Sequence, residues 1–238
     1  MENYIAILLT LCLNSSSCVI QEDIAMPSET RQSDSIETIA QSLTEAGYSG
    51  LFLQSDRSLS TSIWQNGENR IYLEHIVKSS NYSDLTRLLA SEVLYANVGN
   101  YPPEEWRHTL AYIYSKALGI TGSETGNFEI LGNQWGFMYH AEEQGAKDYG
   151  ELGTHLIETG TEATPYLTEL LDNSETIFYE GSQEATLGNS LEYRVKDAAA
   201  YFIGQITGIP VVFHEQHTDR DAEIERLKET LDNRQQGE

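Results

Sequence analysis

Apolar side chains recur every three or four residues along most of the chain after residue 35, which is the spacing of amphipathic helices. Alternating apolar positions, which would indicate strands, are confined to the short candidates 50–53 and 63–64. The fold class is therefore predicted to be all-α. We predict helices over 36–47, 82–97, 103–118, 147–160, 161–173, 193–208 and from Thr218 onward.

The N-terminal segment is predicted to be a signal sequence. Residues 4–13 (YIAILLTLCL) are almost continuously apolar, but as a helix they span only about 15 Å, half of a bilayer core. That length suits a signal peptide rather than a transmembrane helix. Small serines precede Cys18, and this arrangement resembles the bacterial lipoprotein signal. The resemblance implies that Cys18 carries a lipid after cleavage; a cleaved secretory peptide and a buried N-terminal helix are the alternatives.

The cysteine distribution agrees with a lipid anchor. Cys12 falls in the segment that cleavage would remove, and residues 19–238 contain no cysteine, so Cys18 has no intramolecular disulfide partner after cleavage. The residues that follow Cys18 are polar and aperiodic, as is typical of a tether. We therefore divide the chain into a signal peptide with a lipidation-type cysteine at 1–18, a polar tether at 19–35 and one all-α domain at 36–238.

A helical-repeat pattern lies within residues 147–208. One helix carries small residues, a proline and spaced leucines, and a later helix carries a valine, an alanine pair and a terminal glycine. This resembles HEAT-like α-helical repeats, which implies an irregular α-solenoid with loop insertions near 119–146 and 173–192. A plain helical bundle and an α+β fold are the alternatives. The pattern is carried by Gly160, Ala163, Pro165, Leu167, Leu170, Leu171, Val195, Ala198, Ala199 and Gly208.

Charge narrows the classes of partner. The chain has 37 acidic and 14 basic residues, for a net charge of −23. Such a surface repels phosphate backbones and anionic headgroups, so we expect no nucleic-acid binding and membrane contact through the lipid anchor only. The same charge favours a basic protein partner whose association is sensitive to salt. Adaptation to a saline habitat is an alternative origin of the acidity.

Sequence motifs of catalysis are missing. The chain contains no Gly-x-Ser-x-Gly, no Gly-x-x-x-x-Gly-Lys and no cysteine beyond Cys18. We therefore predict no catalytic residue, no cofactor and no metal site. His214 and His217 are three residues apart, whereas zinc proteases place two histidines four apart on one helix face. His155 is interpreted as a partly buried helix residue rather than a base.

The candidate binding residues lie in the long Gly-rich and aromatic-rich stretch 119–146, because long ordered loops are often functional. They are Trp135, Tyr139 and His140. The Cys18 signal, the HEAT-like helices and the missing catalytic motifs together predict a non-enzymatic lipoprotein of a bacterial envelope, at the periplasmic face or cell surface, that acts as a protein-binding or scaffold module. The alternatives are a soluble periplasmic or secreted protein, and a metal-dependent hydrolase with a pocket near Trp135, His140 and His214.

Overall fold

The all-α prediction is confirmed by the computed structural model, which describes residues 29–122, 130, 132, 136–139, 142–143, 146–179 and 183–236. The two short strands Glu142–Glu143 and Ala146–Lys147 pair antiparallel. The α-helices are α1 Glu29–Phe52, α2 Ser58–Trp64, α3 Arg70–Lys78, α4 Asp84–Asn97, α5 Arg107–Gly119, α6 Glu151–Glu158, α7 Thr164–Glu169, α8 Gln183–Leu191, α9 Val195–Thr207 and α10 His217–Gln236, with 3-10 turns at Gln65–Gly67, Glu104–Trp106, Gly160–Ala163 and Leu170–Asp172.

Two buried helices organise the core. Every residue of α4 from Thr86 to Leu94 is buried, and α1, α2, α3 and α5 pack around it. In the C-terminal half the central helix is α9, because α6, α7 and α10 pack against it. The alanines Ala198, Ala199 and Ala200 are all buried, which permits close approach of the neighbouring helices. The helix α5 contacts both α4 and α9, so it joins the two halves.

Local signals account for several of the observed helix boundaries. Pro165 lies in the first turn of α7, where its missing N–H costs no helical hydrogen bond. Gly208 ends α9 in the left-handed conformation, with φ 70°. The Oγ of Ser83 accepts a hydrogen bond from the Thr86 N–H at 3.1 Å and so caps α4.

Both strand candidates are wrong. Gly47 (φ 61°, ψ 178°) kinks α1 instead of ending it, and the helix continues to Phe52 because Tyr48 and Leu51 are buried in the core. Ile63 and Trp64 form the last turn of α2. The predicted loop at 173–192 contains α8, and α1 begins at Glu29, inside the segment expected to be a tether.

A buried ion network joins α9 to α10. The Asp197 carboxylate accepts from Arg194 Nη2 at 2.8 Å and from Arg220 Nη1 at 2.6 Å, and its side chain is fully buried. Asp221 of α10 in turn lies 2.9 Å from both Arg194 and Lys196. The network compensates charges that would be costly to bury alone.

Candidate functional site: an anionic groove and a buried histidine–carboxylate pair

A groove of about 470 Å³ opens between α1 and the start of α4. Along α1, Glu37, Gln41 and Glu45 are spaced four residues apart and therefore share one exposed face. The opposite face of α1 buries apolar side chains such as Leu43 in the core. Because one wall carries two carboxylates and no lysine or arginine is found among the described residues that line the groove, this lining is anionic.

Hydrogen bonds order the walls of this groove. The Tyr82 hydroxyl donates to Glu37 Oε1 at 3.1 Å, and the Gln41 Nε2 donates to Glu45 Oε1 at 2.7 Å. Partial burial and the bond to Glu37 raise the pKa of Tyr82, so this hydroxyl stays protonated and keeps donating. Across the groove the hydroxyls of Thr44 and Thr86 lie 3.0 Å apart. Both carboxylates retain oxygens that can accept from a ligand.

The basic side chains that the structure describes are engaged away from the groove. Lys78 lies over the ring of Trp106, with its Nζ 4.8 Å from the centroid. In contrast, Glu105, Glu229 and Asp232 are exposed and make no ion pair within the part of the chain that the structure describes. The surplus carboxylates therefore face solvent uncompensated. The basic residues in ion pairs are Arg57, Arg70, Arg87, Arg107, Lys116, Arg194, Lys196, Arg220, Arg226 and Lys228.

A second polar cluster lies buried where α4, α5 and α6 meet. The side chain of Glu92, in the middle of α4, is 1% exposed, and its Oε1 lies 2.7 Å from Nδ1 of His155 on α6. The Tyr114 hydroxyl of α5 donates to the same oxygen. Ser91 extends the cluster, since its Oγ lies 3.1 Å from the Tyr114 hydroxyl and 3.0 Å from that of Tyr101.

Aromatic rings hold the imidazole of His155 in place. The ring of Tyr95 stacks on it with centroids 3.5 Å apart and planes 7° from parallel. Tyr114 meets it edge-on at 5.9 Å. These contacts and the bond to Glu92 restrict the rotation of the ring, so Nδ1 stays directed at the carboxylate.

Burial and the neighbouring negative charges shift the pKa of His155 in opposite directions. Burial lowers the pKa of the imidazole, but the adjacent carboxylate of Glu92, helped by Glu158 and Glu151, outweighs it and raises the pKa above its usual 6.5. Burial and the charge of Glu92 raise the pKa of Tyr114 well above its usual value, so the phenol remains a neutral donor. The raised pKa of His155 favours the charged imidazolium in its contact with Glu92.

Comparison with protein-family models, with curated proteins and with solved structures finds no match to this chain. No helix among the described residues is long and apolar enough to cross a membrane. The chemistry of the two clusters is therefore the basis for assigning a function.

Of the three binding residues predicted from the sequence, only Tyr139 lies within the described part of the chain, and it contacts neither cluster. Tyr139 is 7% exposed and packs edge-on against Tyr193 and Tyr201, so it belongs to the core. Cys18, Trp135 and His140 fall outside the described residues.

Neither of the two histidines near the start of α10 belongs to a group of three metal ligands among the described residues. His217 Nε2 lies 3.1 Å from the carbonyl oxygen of Glu192, and His214 is half-buried. Within the described ranges no group of three or more His, Cys, Asp or Glu side chains is placed to hold a metal ion.

The sequence patterns identified neither Glu92 nor the two groove carboxylates, Glu37 and Glu45, as candidate site residues. Glu92 interrupts the otherwise small and apolar run from Leu88 to Leu94, and a charged residue within such a run is a usable signal of a buried polar site. Nothing comparable distinguishes Glu37 and Glu45 from other exposed acids, because the groove depends on how α1 and α4 pack.

Proposed function

We propose that the chain is a non-enzymatic lipoprotein of a bacterial envelope whose helical domain binds a basic protein partner. The single observation that carries the binding role is the anionic groove between α1 and α4, whose described lining has two carboxylates and no basic side chain. A lysine or arginine of a partner entering the groove would find ordered acceptors of opposite charge. Electrostatic attraction from the net charge of −23 would speed the encounter.

The proposal also covers the arrangement of the helices in the C-terminal half. We infer that the helices after residue 147 form an irregular HEAT-like solenoid, in which α7 and α9 are the two helices of a repeat. Their direct packing, the proline at the start of α7 and the buried alanines of α9 support this reading. A solenoid suits a binding role, because stacked helix pairs present an extended surface.

Anchoring is tested by replacing the proposed lipid-bearing cysteine. In bacterial cells, Cys18→Ala is expected to move the protein from the membrane fraction to the soluble or secreted fraction, since several acyl chains on one residue hold a protein firmly. Labelling with a radioactive fatty acid is expected for the unchanged chain and lost in the variant. An unlabelled but membrane-bound protein would contradict the lipid anchor.

Binding is tested by neutralising the groove. Partners crosslinked in cells to the full-length protein are identified, and the affinity of the purified pair is measured at low and high salt. We expect the double variant Glu37→Gln with Glu45→Gln to weaken binding on the order of tenfold at low salt, with less effect once salt screens the charges.

A matched control removes the same charge from another face. Glu229→Gln with Asp232→Asn neutralises two exposed carboxylates of α10, a helix that packs on α9. The control is expected to bind within about twofold of the unchanged protein, because its carboxylates lie outside the groove. Equal weakening by both double variants would assign binding to net charge alone and reject the groove.

A further inference from the structure

We propose that the pair formed by His155 and Glu92 is a proton-operated latch, which holds α6 against α4 and α5 while the imidazole is charged and releases α6 when it loses its proton. This device is independent of the proposed partner binding. It concerns a buried contact at the junction of three helices, far along the chain from the groove residues Glu37 and Glu45.

The latch depends on a carboxylate that cannot reach water. The Glu92 side chain is 1% exposed and sits in the fully buried stretch of α4. The buried Tyr48 of α1 also lies near it, because the charge of Glu92 adds to burial in raising the pKa of that tyrosine. Among the described residues, the hydrogen-bond partners of Glu92 are the His155 imidazole and the Tyr114 phenol. The phenol supplies a hydrogen bond but no positive charge, so His155 is the cation that compensates Glu92.

The side chain of His155 is placed to exchange its proton with solvent. It is 14% exposed, and its Nε2 makes no hydrogen bond within the described part of the chain. Proton loss at Nε2 would leave the Nδ1–H donating to Glu92 but would remove the opposite charge. A buried carboxylate without a cationic partner is strongly unfavourable, and the protein relieves this cost by letting α6 move away.

Two further carboxylates near the imidazole, those of Glu151 and Glu158, also favour its charged form. Besides Glu92, α4 contributes the stacked ring of Tyr95, and α6 itself contributes Glu151 and Glu158. Arg57, which precedes α2, pairs with Glu151 at 3.5 Å and moderates its effect.

The charged groups on the other elements near α6 are paired with residues other than His155. α5 places the neutral phenol of Tyr114 against the ring, whereas on α9 the carboxylate of Asp197 is held by Arg194 and Arg220. Glu162, in the 3-10 turn that follows α6, contacts His108.

The direction of the His155 pKa shift determines how the stabilisation by the pair depends on pH. The pKa of His155 is higher in the folded protein than the value of about 6.5 for a free histidine. The contribution of the pair to stability is therefore complete below about pH 6.5 and is lost as the pH rises through the folded value. The latch opens on the alkaline side.

Amide hydrogen exchange of the full-length protein tests this directly. Exchange rates are corrected for their intrinsic pH dependence and compared between about pH 6 and about pH 9. We expect the opening equilibrium of the α6 amides (Glu151–Glu158) to increase on the order of tenfold, while the amides of α9 change by less than about twofold. A parallel change in both helices, or no change in α6, would overturn the latch.

Two variants isolate the pair. Glu92→Gln keeps the shape of the side chain but removes the charge, so α6 opening is expected to lose its pH dependence. His108→Gln is the matched control, because His108 also contacts a carboxylate, Glu162 at 3.2 Å, but is 70% exposed. It is expected to retain the full pH dependence of α6; if it abolishes that dependence, the assignment to His155 is wrong.

A direct titration keeps the proposal testable even if Glu92→Gln does not fold. Nuclear magnetic resonance of the histidine ring protons in the unchanged protein gives the midpoint for His155. We expect a midpoint above the free value of about 6.5 and coincident with the onset of α6 opening. A midpoint below that value would overturn the proposal.

Discussion

Asp197 shows how much a single buried side chain can determine. Its two oxygens accept from Arg194 and Arg220, and both arginines are themselves more than nine-tenths buried. Arg220 also donates to the carbonyl oxygens of Leu191 and Glu215, so one acid organises the region between α8, α9 and α10. Removing its charge would leave the buried Arg220 without its ion-pair partner and would leave Arg194 paired with the half-exposed Asp221.

We therefore predict that Asp197→Asn lowers the free energy of unfolding by about 3–5 kcal/mol. Urea unfolding followed by circular dichroism measures the change. The control is Asp172→Asn, which removes a carboxylate that pairs with Lys228 but is 85% exposed. Exposed ion pairs contribute little, so the control is expected to unfold at the same urea concentration as the unchanged protein. Similar losses in both variants would contradict a special role for the buried network.

At the scale of elements, the packing of α6 on α9 depends on a missing side chain. A Cβ at Gly153 would lie 2.9 Å from Cζ of Phe202 and 3.3 Å from Cβ of Tyr149. The Phe202 ring is fully buried and is itself in edge contact with Phe137, so it has no room to withdraw. The close approach of the two helices thus requires glycine at this position.

Gly153→Ala is predicted to destabilise the protein, even though alanine favours helix by about 1 kcal/mol. Overpacking a rigid contact costs about 1–3 kcal/mol, and the immobile ring places this site toward the upper end. Gly50→Ala on α1 is the comparison, since its Cβ would meet only the Ala46 methyl at an ordinary 3.6 Å. Relative to the unchanged protein, we expect Gly153→Ala to unfold at a lower temperature and Gly50→Ala at a higher one. A stabilised Gly153→Ala would show that α6 and α9 are less tightly packed.

The whole molecule carries a strong excess of negative charge. Its basic side chains are mostly engaged in ion pairs with neighbouring acids, so the remaining carboxylates repel one another across the surface. This self-repulsion opposes the compact state and is reduced by dissolved salt.

The predicted consequence is that the unfolding temperature rises between about 0.02 M and about 0.5 M sodium chloride. Differential scanning calorimetry measures the trend. The double variant Glu229→Gln with Asp232→Asn should show a smaller rise, because it removes part of the repulsion. A fall in unfolding temperature with salt would mean that attractive pairs such as Lys228 with Asp172 outweigh the repulsion.

Helices with clear local signals were predictable from the sequence. The proline in α7 and the glycine that ends α9 act through backbone geometry within one or two turns, and the apolar stripe of α4 has the spacing of a helix that buries one side. The strand prediction at 50–53 failed for the opposite reason. A short apolar run is compatible with helix or strand, and burial of Leu51 against the core selected the helix.

Both candidate sites depended on the tertiary structure. Glu92 and His155 are 63 positions apart in the chain, and Glu37 and Tyr82 are 45 apart. Spacing along a chain does not specify which helices pack together or which polar side chains they enclose, because that choice is made by the complementarity of whole helix faces. The sequence by itself determined the helical class, the ends of helices with strong local signals such as α4 and α9, and the acidic surface. Only the packing of α4 with α1, α5 and α6 decided which acids face a groove and which one is buried against an imidazole.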